Sequence, residues 1–405
     1  LEGVPVAIKE EVCVEGLPAR VGTGWMAPTP SAADAVAVAR LRAAGAIILG
    51  TTPMTEYGMS PLGGNVHRTM PRNAHDPSRL PGGSSSGSAV AVATGVCPVA
   101  LGADGGGSIR IPASLNGIFG LKLTFGRVPL SGHGLAGGSS VVHLGPLATT
   151  VRDLALFGDI ASGPDSGDAA SQGQPHLAPG ALVDALGRGV RGLRIGIDEG
   201  EWQAADTAVA EAGKRALDAL AKDGAILCPI TIPMAELAAA IGYLTIGLEV
   251  FATIGSDVAP HQSELGLDLQ LLLAVMATFR PDDYIDAQRL RGRLRQAVAT
   301  LLGEVDVIAL PATARVAPPI TDAEASGGFI DPPALDAMCR FAFLGNLTGL
   351  PAGTAPVGTG ELGLPVGLQI LGDAWDEACV LAVLAHLERT GIARVIRPPA
   401  AIDLL

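Results

Sequence analysis

A single large α/β domain built on a mixed central sheet is the fold this sequence predicts, and two observations predict it. Short apolar runs alternate with helical segments almost from the first residue, a pattern that implies a sheet covered by helices on both faces. The chain has 405 residues and is 48% hydrophobic, ample for a sizeable core. No segment repeats at a fixed period.

The elements follow in order. GVPVAI (3–8) opens as a strand; SAADAVAVARLRAAGA (31–46) is helical behind Ser31, a residue suited to the N-cap, and leads into a buried strand, AIILGT (46–51). GSAVAVATG (87–95) reads as a short helix, PVALGA (98–103) as a strand and SIRIPASLNG (108–117) as a helix that starts directly after glycines. GPDSGDAASQGQPHLAPG (163–180) has almost no apolar content and fits either a linker or a surface excursion within one domain. LRIGID (193–198), AILCPI (225–230) and DVIALP (306–311) are further strands, covered by long helices over 282–303 and 376–391. The poorly punctuated helical segment 231–281 is the place for a substrate-covering insertion.

Composition excludes several functions. A net charge of −13 without any cluster of five Lys or Arg argues against a phosphate-tracking surface, so nucleic acid is not expected as a partner. The apolar stretch 237–255 carries Glu249 and three glycines, and the uncharged run 89–103 contains Gly95, Pro98 and Gly102; neither is expected to cross a membrane. Cys13, Cys97, Cys228, Cys339 and Cys379 are scattered without metal-ligand spacing. They read as reduced core residues of a cytoplasmic protein, with no metal and no cofactor expected.

Two serine-bearing stretches carry chemistry. Gly83-Ser84-Ser85-Ser86-Gly87 formally matches a nucleophile elbow centred on Ser85, but the elbow needs a strand before it and HDPSRLPGG, with Pro77 and Pro81, forms none. In GADGGGSIRIP (102–112) three glycines precede Ser108. The N–H groups of Gly105, Gly106, Gly107 and Ser108 are free of Cβ hindrance and lie near a helix start, so they suit an oxyanion hole beside a Ser108 nucleophile. A phosphate loop would need Gly-Lys-Ser/Thr, which is missing. A serine needs a base, and none of His67, His75, His133, His143, His176, His261 and His386 stands out in its setting. Lys9 ends the first apolar strand, where burial would lower its pKa from about 10.4 and let it accept a proton.

Together GVPVAIKE, GGSSSGSA and GADGGGSIRIPAS resemble the amidase signature family, and further matches at TTPMTEYG (51–58), GPLATTVRDLALF (145–157), NLTGLPAGTAPVG (346–358) and LPVGLQILGDAWDEACVLAVLAHLE (364–388) extend the resemblance along nearly the whole chain. The resemblance implies one amidase domain over 1–405, a three-layer α/β/α fold, Ser108 as nucleophile, Ser84 as a bridging serine after a cis peptide bond, Lys9 as base, and supporting roles for Ser85 and Asp104. Gly105 and Ser86 depart from the family's usual residues, and the family's helical segment before the lysine strand is not expected in this chain. The implied activity is hydrolysis of C–N bonds in small, largely apolar amides, anilides or carbamates, as in the aryl-acylamidase and urethanase branch, by a monomer or homodimer. Met54, Tyr57, Arg127 and a Gly-rich loop over 128–143, read as a lid, are the expected lining. Two alternatives stand beside this: a glutaminyl-tRNA amidotransferase subunit, against which Ile111 replaces that group's usual glutamine, and a non-catalytic binding protein.

Overall fold

The computed structural model describes residues 1–69, 71–134, 139–321, 331–399 and 401. Ten strands form one sheet: β1 (Pro5–Lys9), β2 (Ile47–Thr52), β3 (Val99–Asp104), β4 (Phe119–Lys122), β5 (His143–Ala148), β6 (Arg194–Ile197), β7 (Ile226–Pro229), β8 (Val307–Pro311), β9 (Ala352–Thr359) and β10 (Pro365–Gly372). The order across the sheet is β2-β1-β3-β5-β4-β9-β10-β8-β6-β7. β2, β1 and β3 run parallel at one side, and β8, β6 and β7 at the other. Between them the pairings are antiparallel. Every residue of β3, β4, β5, β8 and β10 is buried; successive strand residues face opposite ways, so both faces of the sheet are covered.

The helices that matter for the site are α1 (Val36–Ala43), α2 (Ser86–Ala93), α3 (Arg110–Leu115), α4 (Ala238–Val258), α5 (Leu267–Met276), α6 (Pro281–Glu304) and α7 (Phe343–Thr348). Ser31 does not cap α1: it pairs with Glu15 in an isolated bridge, and the N-cap is Ala35. The segment 163–180 is a surface excursion tied to the body, because Arg40 donates to Gly163 O and Pro164 O, and Ser131 Oγ donates to Asp165. Among the described residues one helical stretch, Ala235–Glu264, is long and apolar enough to cross a membrane. Its main helix, α4, packs instead on α5, α6 and α7 and buries Ile241, Ile246, Val250, Ile254 and Val258.

A buried polar knot joins the centre of the sheet to its helices. Asp104, at the end of β3, receives a two-pronged guanidinium contact from Arg110 of α3 at 2.9 and 3.0 Å, with both side chains 0% exposed. Arg110 also donates to Ala342 O, to Gln369 of β10 and to Asn346 of α7. Burial alone would raise the Asp104 pKa, but Arg110, aided by Lys122 and Asn346, holds it well below the usual carboxylate range. Removing the cation strands a buried carboxylate, which costs roughly 3–5 kcal/mol. Arg110→Met is therefore expected to lower the urea midpoint of unfolding by that equivalent; an unchanged midpoint would contradict the role given to this knot.

Candidate active site

Strands β1 and β3 are paired in parallel, with Ile8 opposite Leu101, so both end at the same edge of the sheet. That edge, outside the carboxyl ends of parallel strands, is where α/β sheets leave a crevice. It sets Lys9, the last residue of β1, beside Ala103 and Asp104. The loop that enters α2 reaches the same place, and α2 is fixed to the sheet through Ser88, whose hydroxyl donates to Leu101 O at 3.2 Å and meets Thr52 Oγ1 at 2.7 Å.

The bond between Gly83 and Ser84 is cis. Gly83 has no room for a side chain: a Cβ there would lie 2.9 Å from Ser60 O. In this setting Lys9 Nζ lies 2.7 Å from Ser84 Oγ, 3.3 Å from Ala103 O and 2.6 Å from Glu11 Oε1. Three acceptors around Nζ match the three N–H bonds of an ammonium. The sequence reading anticipated the burial of Lys9, which is 1% exposed, but not its carboxylate neighbour.

Ser84, Ser108, Lys9 and Glu11 line one small cavity, together with Tyr57, Gly58, Met59, Val142, Ile246 and Val250. A second cavity shares Gly58, Met59, Ser108 and Ile246 with the first and is also lined by Pro61, Gly106, Tyr243, Cys339 and Phe343. Each has only about 20 Å³ of free space, room for about one water. Burial pushes the Cys339 thiol up to about 12, so it stays protonated at neutral pH and lines the second cavity as a small apolar group.

The glycine loop 105–107 divides its N–H groups between two tasks. Gly107 N donates to Asp104 Oδ1 at 2.7 Å, and Ile109 N donates to Asp104 Oδ2 at 3.1 Å. Gly107 is therefore not an oxyanion donor, correcting the sequence expectation; its N–H holds the loop onto the Asp104 carboxylate. Among the described residues no acceptor engages the N–H groups of Gly105, Gly106 and Ser108, which leaves these three for a substrate oxygen. A Cβ at Gly106 would lie 2.5 Å from Phe343 Cε1 and Cζ, so that ring fills its side-chain space, and a Cβ at Gly105 would lie 2.6 Å from Ile246 Cδ1, the end of a side chain that would have to turn away. The departure at Gly105 thus gives its side-chain space to Ile246 of α4.

Ser85 supports this geometry. Its N–H donates to Ser108 O at 3.2 Å and its hydroxyl donates to Ala103 O at 3.1 Å, tying the two serine loops together. Ser86 begins α2 as a fully buried residue whose hydroxyl has no partner among the described residues. Tyr57 lines the first cavity in a left-handed conformation, φ 49°. Its neighbour Glu56 accepts from Gly266 N at 2.8 Å, fastening this loop to the start of α5.

Two expected lining residues lie elsewhere. Met54 is packed in the core at 1% exposure and lines neither cavity. Arg127 is engaged by the Glu377 carboxylate at 3.1 Å, by Pro175 O and by Trp375 O, an internal tie that holds the 163–180 excursion. The proposed lid over 128–143 is anchored at both ends: His133 is buried, Gly134 N donates to Glu11 O, and Ser140 bonds to Glu249 of α4. Residues 135–138 lie outside the described residues. Val142 falls within the expected 128–143 loop, whereas Glu11, Met59, Pro61, Tyr243, Ile246, Val250, Cys339 and Phe343 are lining residues that sequence reasoning missed. Only Glu11 had a local signal, the paired acids directly after the lysine.

Comparison with known proteins places this arrangement. The sequence model of the Amidase family matches residues 1–381. A fatty acid amide hydrolase of Medicago truncatula is 36% identical over 415 residues, covering 100% of this chain and 67% of its own length. The chain thus spans about two-thirds of that plant relative. A glutamyl-tRNA(Gln) amidotransferase subunit of Chloroflexus aurantiacus is 35% identical, covering 95% of this chain and 82% of its own. The crystal structure of a bacterial aryl acylamidase of the amidase signature family superimposes with a TM-score of 0.85 at 25% identity, covering 96% of this chain and 83% of that one. With the family match running over residues 1–381 and a relative 36% identical over the whole chain, this chain belongs to the amidase signature family of amide C–N hydrolases.

Proposed function

We propose that this protein hydrolyses amides, anilides or carbamates with an apolar acyl side, through a Ser108 acyl-enzyme. The observation that carries the reading is the 2.7 Å contact between Lys9 Nζ and Ser84 Oγ in the cavity that also holds Ser108. A serine hydroxyl next to a lysine that can take its proton is an activated nucleophile system. In the acylation step Lys9, once neutral, accepts the Ser84 proton while Ser84 Oγ takes the proton of Ser108. Ser108 Oγ forms a bond to the carbonyl carbon, and the π pair moves onto oxygen, where Gly105, Gly106 and Ser108 N–H groups receive it. Collapse restores the C=O and breaks the C–N bond, with the proton returned through Ser84 to the leaving nitrogen. Water then repeats the sequence on the ester and frees Ser108.

An apolar acyl group is supported by what surrounds Ser108: Met59, Pro61, Ile246, Val250 and Phe343. The similarity to fatty acid amide hydrolases points the same way. The small free volumes mean that substrate entry displaces side chains of α4, and Ile246 is central because it borders both cavities. The similarity to an amidotransferase subunit keeps ammonia release from glutamine as the second reading, but the apolar lining suits an uncharged acyl group better.

Three outcomes are expected. A fluorophosphonate probe labels the wild-type chain and fails to label Ser108→Ala; labelling that persists in the variant removes Ser108 as nucleophile. With a panel of anilide, carbamate, short-chain amide, long-chain amide and glutamine substrates, kcat/KM on the accepted substrates rises between pH 6 and 9, as general-base catalysis requires, and Lys9→Met lowers kcat by roughly 10²–10⁴-fold. A flat profile, or release of ammonia from glutamine alone, contradicts the reading. Ile246→Ala shifts the ratio of kcat/KM for bulky over small acyl groups upward by roughly tenfold or more, and an unchanged ratio shows that α4 does not bound the acyl site.

A further inference from the structure

Glu11 lies in the catalytic cavity, yet the proton path through Ser108, Ser84 and Lys9 does not use it. Its position is set by the backbone. Val12 N donates to Lys9 O at 2.9 Å, closing a tight turn after β1 with Glu10 and Glu11 at its centre. The two acids then part: Glu10 turns to Arg68 at 2.9 Å, and Glu11 turns inward to Lys9. Glu11 O accepts from Gly134 N at 2.7 Å, and Val12 forms a bridge with His133, so the turn is held from the facing loop as well.

The side chain is gripped from both sides. Oε1 is 2.6 Å from Lys9 Nζ and Oε2 is 3.5 Å from His133 Nε2, with the Glu11 side chain only 4% exposed. A Cβ added at Gly58 would lie 3.3 Å from Ser84 Oγ and 3.6 Å from Glu11 Oε2, so that glycine backs the serine and the carboxylate together. The other ionisable groups facing this cavity are Tyr57, from the loop tied to α5, and Asp104, whose carboxylate is taken up by Arg110 and two backbone N–H groups.

We propose that Glu11 is a positioning residue for amide hydrolysis, holding Lys9 Nζ against Ser84 Oγ and stabilising the ammonium that forms when Lys9 takes the Ser84 proton. This rests on the assignment of Ser108, Ser84 and Lys9 made above. The physical need is plain: acylation creates a positive charge on a buried lysine while negative charge develops on the substrate oxygen. A buried charge without a partner costs several kcal/mol, and a carboxylate in direct contact offsets much of that. The division of labour matches the aspartate of a Ser-His-Asp triad, which orients the base and stabilises its protonated form without taking the proton itself. Burial alone would raise the Glu11 pKa, but the neighbouring Lys9 and His133 more than offset this and hold it at about 2. Glu11 therefore remains anionic throughout the working range, and a rate change between pH 6 and 9 is not its own titration.

The test compares wild type, Glu11→Gln, Glu11→Asp and Ser108→Ala, using a chromogenic anilide and the fluorophosphonate probe across pH 5–10. Glu11→Gln keeps the shape and removes the charge. Its kcat is expected to fall by roughly 10²-fold with KM little changed, and its acid limb to move to lower pH because the ammonium has lost its counter-charge. Glu11→Asp keeps the charge but withdraws it by one methylene; its limb is expected to stay near that of wild type while kcat drops. A Glu11→Gln limb that coincides with wild type overturns the proposal, as does a Glu11→Asp kcat equal to wild type, a comparison that stands if Glu11→Gln fails to fold. In either case loss of labelling in Ser108→Ala leaves the nucleophile assignment intact, whereas labelling that persists there overturns both.

Discussion

A lysine amine enclosed by protein must find acceptors or lose its charge, and the way this chain meets that demand organises its whole active edge. Lys9 Nζ touches a serine hydroxyl, a backbone carbonyl and a carboxylate. Each comes from a different segment: the loop entering α2, the end of β3, and the turn after β1. Shifting any of the three would leave a buried amine short of a hydrogen-bond partner. The parallel pairing of β1 with β3 and the anchoring of α2 are thus prerequisites for the chemistry as well as for the core.

Asp104 does for the glycine loop what Lys9 does for the serine loop. It gathers Arg110, Asn346 and the N–H groups of Gly107 and Ile109 around one buried carboxylate. That arrangement consumes the N–H of Gly107 and leaves those of Gly105, Gly106 and Ser108 for substrate. The two buried charges sit at the end of neighbouring strands, one holding the proton path and the other holding the oxyanion loop. Side chains from α4 and α7 then close the space above them, with Ile246 and Phe343 occupying the volume that side chains at 105 and 106 would need.

Much of this was legible before any coordinates. The strands at the two parallel wings were readable because they are short, continuous apolar runs, and their observed bounds differ from expectation by at most one residue at either end, apart from two at the start of β1. The central antiparallel strands β4, β5, β9 and β10 were not, because HLGPLA, AGTAPVGT and PVGLQILG contain Gly and Pro that local reading assigns to turns. Tertiary pairing overrides that preference. Lys9, Ser84 and Ser108 were found through three short motifs whose spacing is meaningful together. The apolar lining was not, since Ile246, Val250 and Phe343 lie far along the chain and differ in nothing local from other core residues. Arg127 misled for the converse reason: an arginine near the nucleophile segment invites a substrate role, whereas its partner Glu377 is 250 positions away.

The central claim is that a substrate's acyl group passes through an ester with Ser108. Acid quench of a steady-state mixture with an activated anilide or carbamate, followed by proteolysis and mass spectrometry, tests it directly. The account predicts one added acyl mass on the peptide containing Ser108, accumulating in wild type and missing in Ser108→Ala. An acyl group found on Ser84 or Ser85, or turnover with no acylated peptide under conditions where deacylation limits the rate, would contradict it.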